Sequence, residues 1–170
     1  MNSMKDIRIE KVTINIGAGK DQAKLDKGVI LLNYISGSKP IKTVTKKRIQ
    51  EWGLRPGLPI GCKVTLRKGK AYDLLGRFLD AKDYRLLESQ FDEGGSISFG
   101  IHEYIDIPGV KYDPKIGIMG FEVSVTLERP GFRIKRRKLM PRKIPVKHKI
   151  TKKESIEFMK QKFNVKVGEE

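Results

Sequence analysis

The chain has 170 residues, and its 36 Lys and Arg against 20 Asp and Glu give a formal net charge of +16 at pH 7. A composition that is 38% hydrophobic allows a folded core, and so large a positive excess predicts a polyanionic partner. One Cys and two His exclude a disulfide framework and disfavour a metal site, and no cofactor is expected. The chain has no long apolar run and no signal-peptide pattern, so we expect a soluble, cytoplasmic protein with no membrane partner.

The first half of the chain predicts two strands and two helices. Apolar and polar residues alternate over 11–16 and again over 62–67, as in half-buried strands. Apolar residues recur at helical spacing over 21–36 and 71–79, which predicts amphipathic helices. Between them, residues 48–61 contain three Gly and two Pro and are expected to form a projecting, constrained loop.

The second half predicts two more strands and one helix. Alternation over 96–101 predicts a strand that extends toward Ile105 and Ile107, and alternation over 121–128 predicts another. The pattern Thr151-Lys152-Lys153-Glu154 is a capping box that opens the last helix. Together these elements predict an α+β fold, a largely antiparallel sheet covered by helices on one face and exposed on the other.

The exposed face of this sheet is expected to be polar. Its strands present Lys11, Thr13, Asn15, Lys63, Thr65 and Arg67. Hydroxyls, an amide and cations can bond phosphates and 2′-hydroxyls without a deep pocket. Ordinary solvent-facing residues explain the same pattern equally well, and the charge distribution favours RNA.

Positive charge is concentrated in two stretches. Residues 39–70 carry ten basic and one acidic side chain, and residues 129–153 carry twelve basic and none acidic. Gly and Pro interrupt both stretches, so neither predicts a membrane-surface helix. The pattern favours extended basic segments that order on a folded nucleic acid, with a merely solvated surface as the alternative.

The sequence offers little for catalysis, so we predict that the chain is not an enzyme. Gly17-Ala18-Gly19-Lys20 lacks the other residues of a phosphate-binding loop, and Cys62 lies on the core side of its strand. An acid/base pair among Glu103, Asp106 and Asp113 stays open, which leaves a metal-dependent hydrolase as a distant alternative.

The predicted loop over 48–61 contains the only Trp, Trp52, together with Arg55. An aromatic ring and a guanidinium at a loop tip suit contact with an exposed nucleotide. The alternative is that Trp52 folds back into the core.

Several motifs in order resemble one known family. Residues 55–67 read RPGLPIGCKVTLR and closely resemble the signature of universal large-subunit ribosomal protein five, the 5S ribosomal RNA binder. Residues 15–19 resemble its N-x-G-x-G turn, and residues 36–40 its G-Q-K-P segment. Residues 105–114 and 125–131 are similar to the archaeal and eukaryotic branch, and the resemblance covers about residues 7–167.

The resemblance implies a single ribosomal protein domain over 1–170, with the projecting loop 48–61 and the basic segment 129–153. It implies that the chain binds 5S rRNA and attaches it in the central protuberance of the large ribosomal subunit. Further implied partners are large-subunit rRNA, peptidyl-site tRNA, neighbouring large-subunit proteins and a small-subunit bridge protein. The rival interpretation is a free-standing RNA chaperone or another non-specific nucleic-acid-binding protein.

Transferred position by position, the resemblance implies three groups of contact residues. The 5S rRNA group is Thr13, Asn15, Gly17, Lys39, Pro40, Lys63, Thr65 and Arg67. The tRNA-contact loop is Glu51, Trp52, Gly53, Leu54, Arg55, Pro56 and Gly57. The group for other rRNA is Arg133, Lys135, Arg136, Arg137, Lys138, Arg142 and Lys143.

Overall fold

The main element of the fold is a five-stranded sheet, most of whose strands alternate buried and more exposed residues. The computed structural model describes residues 2–168, so Met1, Glu169 and Glu170 lie outside the described residues. Its strands are β1 Arg8–Gly17, β2 Ile41–Val44, β3 Pro59–Leu66, β4 Arg85–Leu87, β5 Ile97–Ile101, β6 Phe121–Glu128 and β7 Lys166–Gly168. Five of them form an antiparallel sheet in the order β2-β3-β1-β6-β5, and β4 pairs in parallel with β7.

Three α-helices lie among the described residues: α1 Gln22–Ser36, α2 Gly69–Asp80 and α3 Lys152–Phe163. The Asp21 carboxylate accepts from the backbone N–H groups of the first turn of α1, and Gly37 ends that helix at a φ of 57°. Thr151 and Glu154 form the predicted capping box at the start of α3. The predicted α+β class is therefore confirmed.

Helix α1 packs closely on the sheet because Gly28 has no side chain. A Cβ on Gly28 would lie 3.1 Å from Cys62 Sγ and 3.3 Å from an Ile16 methyl group. Cys62 is fully buried, as its place in the alternation predicts, and burial raises the pKa of its thiol although Lys42 opposes the shift. The other face of β1 and β3 remains uncovered by this helix.

The described residues divide into two compact units, neither of which is continuous in sequence. One contains the chain up to Val12, Arg67–Ser98 and the chain from Val125 onward, and the other contains Thr13–Leu66 and Phe99–Ser124. Strands β1, β5 and β6 each contribute residues to both units. The single domain over 1–170 stays a prediction.

The predicted extension of the strand after residue 101 toward Ile105 and Ile107 is wrong. The chain forms a 3-10 turn at Tyr104–Asp106 instead. The side chain of Tyr104 is fully buried, and its hydroxyl accepts from the Asp113 N–H at 2.9 Å. Because the chain turns here, the apolar residues beyond it no longer alternate as in a strand.

The predicted loop over 48–61 is three residues too long at its end. Strand β3 begins at Pro59, and its antiparallel partner is β2, which the sequence did not predict. Strands β4 and β7 were also not predicted, because three-residue strands show too little alternation.

Candidate nucleic-acid interface

The side chains of β1 and β3 that point away from α1 form what we call the sheet face. It is defined by Thr13, Asn15, Gly17, Lys63 and Thr65, all five of which were predicted 5S rRNA contacts. They are exposed or half-buried, whereas the alternating residues Val12, Ile14 and Ile16 of β1 and Cys62, Val64 and Leu66 of β3 are buried. The two strands therefore present an amide, two hydroxyls and an ammonium group to solvent.

Gly61 allows β3 to lie close to its neighbours in the sheet. A Cβ at this position would lie 2.6 Å from the Ile16 carbonyl oxygen and 3.0 Å from Thr43 Oγ1. Any side chain would displace backbone here, which gives a physical reason for glycine at this point of the P-I-G-C motif.

Lys39 and Pro40 lie directly before β2, at the edge of the same sheet. Ile41 pairs in register with Lys63, so Lys39 is two residues from a strand position opposite a sheet-face lysine. The turn that carries it is held by Ser36, whose hydroxyl donates to the Leu32 carbonyl at 2.6 Å and accepts from the Ser38 N–H at 3.2 Å. Lys39 is exposed, and Pro40 is half-buried.

Arg67, the last predicted 5S contact, follows β3 and is exposed. Its guanidinium lies 3.4 Å from the Glu10 carbonyl oxygen and 3.5 Å from the Glu10 carboxylate. Part of its hydrogen-bonding capacity is therefore used within the protein.

The loop before β3 is closed by backbone hydrogen bonds. Ile49 and Leu54 exchange two of them, at 3.1 and 2.9 Å, and Gly53 adopts a φ of 63° within the turn. Trp52 at the tip is 64% exposed, so the alternative that it folds into the core is wrong. The other predicted tRNA contacts are also exposed except Leu54, whose side chain is buried.

The basic segment 129–153 is anchored at its ends by buried groups. Arg129 is only 6% exposed. Its guanidinium donates to the Glu154 carboxylate at 2.7 Å and to the Lys149 carbonyl at 3.2 Å. Partial burial raises the pKa of Glu154, but hydrogen bonds from Thr151 and Arg129 outweigh this and hold the pKa below its ordinary value. Phe132 and Ile150 are also buried, and Ile150 packs beside Gly95, so these parts of the segment are fixed on the rest of the unit.

Arg136, a predicted rRNA contact, lies in a network of charges within the same unit. Its guanidinium pairs with the Glu10 carboxylate and, at 2.7 Å, with Glu128. Arg8 pairs with Glu128 as well, also at 2.7 Å. Both carboxylates are only 9% exposed, so they supply counter-charge that the segment itself lacks. Neither was identified from the sequence, because strand alternation placed Glu128 on an open face.

The remaining predicted cations of the segment are exposed: Arg133, Lys135, Arg137, Lys138, Arg142 and Lys143. None of these six takes part in an ion pair among residues 2–168. Lys135 lies 5.6 Å from the centre of the Phe132 ring, and Arg137 donates to the Met140 carbonyl at 2.9 Å. These side chains are positioned to reach an external anion.

The described part of the chain offers neither a metal centre nor a membrane-spanning helix. No group of three or more His, Cys, Asp or Glu side chains within it is arranged to hold a metal ion. No helix there is long and apolar enough to cross a membrane.

Taken together, the fold defines an α+β protein whose strands β1 and β3 have one side packed on a helix and another that is polar and carries Lys63. Comparison with protein families then shows which family the chain matches. The model described as "Ribosomal protein L5" matches residues 2–55, and a second model, for the C-terminus of the same ribosomal protein family, matches residues 59–158. The chain belongs to the ribosomal protein L5 family, which confirms the resemblance found in its motifs.

Similar full-length proteins come from archaea. The large ribosomal subunit proteins uL5 of Sulfurisphaera tokodaii, Nanoarchaeum equitans and Methanosphaera stadtmanae are each 48% identical to the chain. The alignments cover 99%, 96% and 98% of this chain and 96%, 97% and 99% of those proteins. Since members of a ribosomal protein family are structural, the prediction that the chain is not an enzyme is confirmed.

Proposed function

We propose that the chain is a structural constituent of the large ribosomal subunit that binds 5S rRNA and attaches it in the central protuberance. Its family membership supports the ribosomal role. The observation that carries the RNA-binding part is the sheet face, where five residues predicted from separate motifs lie on two strands of one exposed surface.

The chemistry of the sheet face suits a folded RNA. Thr13 and Thr65 can donate to or accept from 2′-hydroxyls, and Lys63 can neutralise a phosphate. No ion pair of the described residues involves Lys63, so binding RNA there breaks no internal salt bridge. The face therefore sets the register of the RNA, while phosphate contacts elsewhere add affinity.

The basic segment 129–153 is proposed to reach large-subunit rRNA through its exposed cations. Arg129 and Arg136 are held internally, and they serve to fix the segment on the protein. These internal contacts limit the freedom of the segment, which lowers the conformational entropy lost on binding.

The loop around Trp52 and Arg55 is proposed to contact peptidyl-site tRNA. Both side chains are exposed on a hydrogen-bonded turn, which limits the freedom they lose on contact. Neighbouring large-subunit proteins and a small-subunit bridge protein complete the proposed partners.

The first test is a competition experiment at about 150 mM salt, a concentration that suppresses non-specific phosphate binding. The purified protein is titrated with labelled 5S rRNA against unlabelled tRNA and an unrelated stem-loop RNA. We expect unlabelled tRNA and the stem-loop RNA to displace little of the labelled 5S rRNA. The double variant Lys63→Ala with Thr65→Ala should lose most of this preference for 5S rRNA. Lys27→Ala removes one exposed charge on α1, which packs on the opposite side of these strands within the same unit, and serves as the control.

Equal binding of all three RNAs would contradict the proposal and leave a basic RNA-binding protein of no fixed target. Retention of the 5S preference by the double variant would move the binding surface away from the sheet face.

A further inference from the structure

A small cleft opens beside the sheet face, where β1 ends and β6 begins. Its volume is about 340 Å³, and Asn15, Gly17, His102 and Glu122 are among its lining residues. All four belong to the same compact unit. His102 and Glu122 are exposed and were not among the contact residues predicted from the sequence.

The Glu122 carboxylate is the hydrogen-bond acceptor of this cleft that carries a negative charge. Asn15 Nδ2 donates to Glu122 Oε2 at 3.4 Å. Because a carboxylate can only accept, the Asn15 amide nitrogen faces Glu122 and its oxygen remains available as an acceptor elsewhere. Glu122 forms no ion pair among the described residues, so its carboxylate keeps unused acceptor positions.

Gly17 leaves space in this cleft that the protein does not fill. A Cβ built on Gly17 meets no atom within 4 Å, and its φ is not in the left-handed region. By contrast, a Cβ on Gly120 across the cleft would lie 2.6 Å from the His102 carbonyl oxygen. Packing therefore explains glycine at 120 but not at 17, where glycine in a strand is intrinsically unfavourable. Close approach of a ligand gives a reason for it.

A carboxylate beside a polar, RNA-binding face discriminates between parts of an RNA. The negative charge of Glu122 repels phosphate, so the groups it can bind are N–H and O–H donors of bases and ribose. Guanine is the one common RNA base with two adjacent N–H donors on its Watson–Crick edge, at N1 and N2, and a carboxylate matches that pair with two oxygens. Unstacked bases are read on this edge in RNA recognition.

We propose that this cleft binds the base of one unpaired guanosine of the RNA ligand, with Glu122 accepting from N1–H and N2–H and Asn15 fixed beside it. The proposal deepens the proposed function and rests on RNA being the ligand of the sheet face. It assigns base selection to Glu122 and neutralisation of phosphate to lysines such as Lys63.

The test uses three RNA hexanucleotides that differ at one central base: UUGUUU, UUAUUU and the same sequence with inosine. Binding to the ¹⁵N-labelled full chain is followed by NMR, including the Asn15 side-chain amide signals. We expect the guanine hexamer to bind about tenfold more tightly than the adenine hexamer, as a bidentate base contact implies. Inosine lacks the N2 amino group and should fall between them.

Two variants test whether the preference for guanine depends on Glu122. Glu122→Gln replaces one carboxylate oxygen with an amide and should abolish the preference for guanine while retaining the fold. Asp106→Asn removes an equal charge at an exposed position outside the cleft and should keep the preference.

Equal affinity of wild-type protein for the guanine and adenine hexamers, absence of binding by all three, or a preference that survives Glu122→Gln would each overturn the inference. Failure of the proposed function has a different signature, because wild-type protein would then show no preference for 5S rRNA over tRNA. A protein that prefers 5S rRNA but binds the hexamers equally retains the proposed function and lacks the guanine site.

Discussion

Lys68 shows how a single backbone conformation affects stability. This residue lies between β3 and α2 with a φ of 60° and a ψ of −143°, a region that side chains with a Cβ adopt only at a cost. Its own side chain makes no capping hydrogen bond to the helix. The Lys68 carbonyl accepts from the Ala71 N–H at 3.0 Å, a bond that glycine would also make, so the lysine side chain itself contributes nothing that offsets the strain.

Replacing Lys68 by Gly should stabilise the folded state. Removing the Cβ relieves the strain, and after the entropy cost of glycine in the unfolded chain we expect a gain of about 1 kcal/mol in the free energy of unfolding. Urea denaturation followed by circular dichroism measures it. Lys68→Ala removes the same charge but keeps the Cβ, so a gain of equal size in that variant would contradict the explanation.

At the scale of elements, the loop between β2 and β3 should act separately from the sheet face. Its closing hydrogen bonds lie between Ile49 and Leu54, so removing side chains at the tip leaves the turn intact. We expect Trp52→Ala with Arg55→Ala to leave the affinity for 5S rRNA unchanged and to weaken peptidyl-site tRNA occupancy on reconstituted ribosomes. Filter binding and tRNA footprinting give the two measurements.

The matched control for the loop is Trp52→Phe with Arg55→Lys, which keeps an aromatic ring and a cation at the tip. This variant should retain most tRNA occupancy. If the alanine variant instead lost 5S rRNA binding, the loop would belong to the RNA-anchoring surface.

Most of the elements that were predicted correctly show a repeated pattern of apolar residues, and α3 also carries a capping box. Strands β1, β3 and β6 and helix α2 each bury a regular set of side chains, such as Ala71, Leu74 and Phe78. Strand β2 could not be predicted, because its Ile41 and Val44 are exposed and show no alternation of burial. The 3-10 turn at Tyr104 is accompanied by a hydrogen bond between the Tyr104 hydroxyl and the Asp113 N–H, which no local pattern reveals.

The candidate surfaces also differ in how far the sequence predicts them, because some follow from a local pattern and others from long-range contacts. The sheet face follows from alternation alone, since a polar residue opposite a buried one must point outward. The cleft at Glu122 and the ion pairs of Arg136 depend on which strands lie side by side and on the path of segment 129–153. Such long-range neighbours are fixed only once the chain has folded.

At the scale of the whole molecule, the net charge of +16 predicts a steep dependence of RNA affinity on salt. Several arginines are already paired with Glu10, Glu128 and Glu154, so fewer cations meet phosphate than the total suggests. With roughly 6–10 phosphates neutralised, the affinity for 5S rRNA should fall by about three to five decades between 50 and 200 mM salt.

Measuring the dissociation constant at four or five salt concentrations gives the slope. A shallow dependence, equivalent to one or two phosphates, would contradict a role for the basic stretches in the complex. A variant with Lys138→Ala and Lys143→Ala should lower the slope by about two if both side chains contact phosphate.

The burial of Cys62 has a practical consequence for studying these surfaces by fluorescence. It is the chain's only cysteine, its side chain is inaccessible beneath α1, and its thiol resists ionisation because burial raises its pKa. A cysteine introduced at an exposed position, such as Ser98 on β5 or Tyr112, would therefore be the one thiol that reacts with a maleimide dye under native conditions. The protein can thus be labelled at a single site without first replacing its native cysteine.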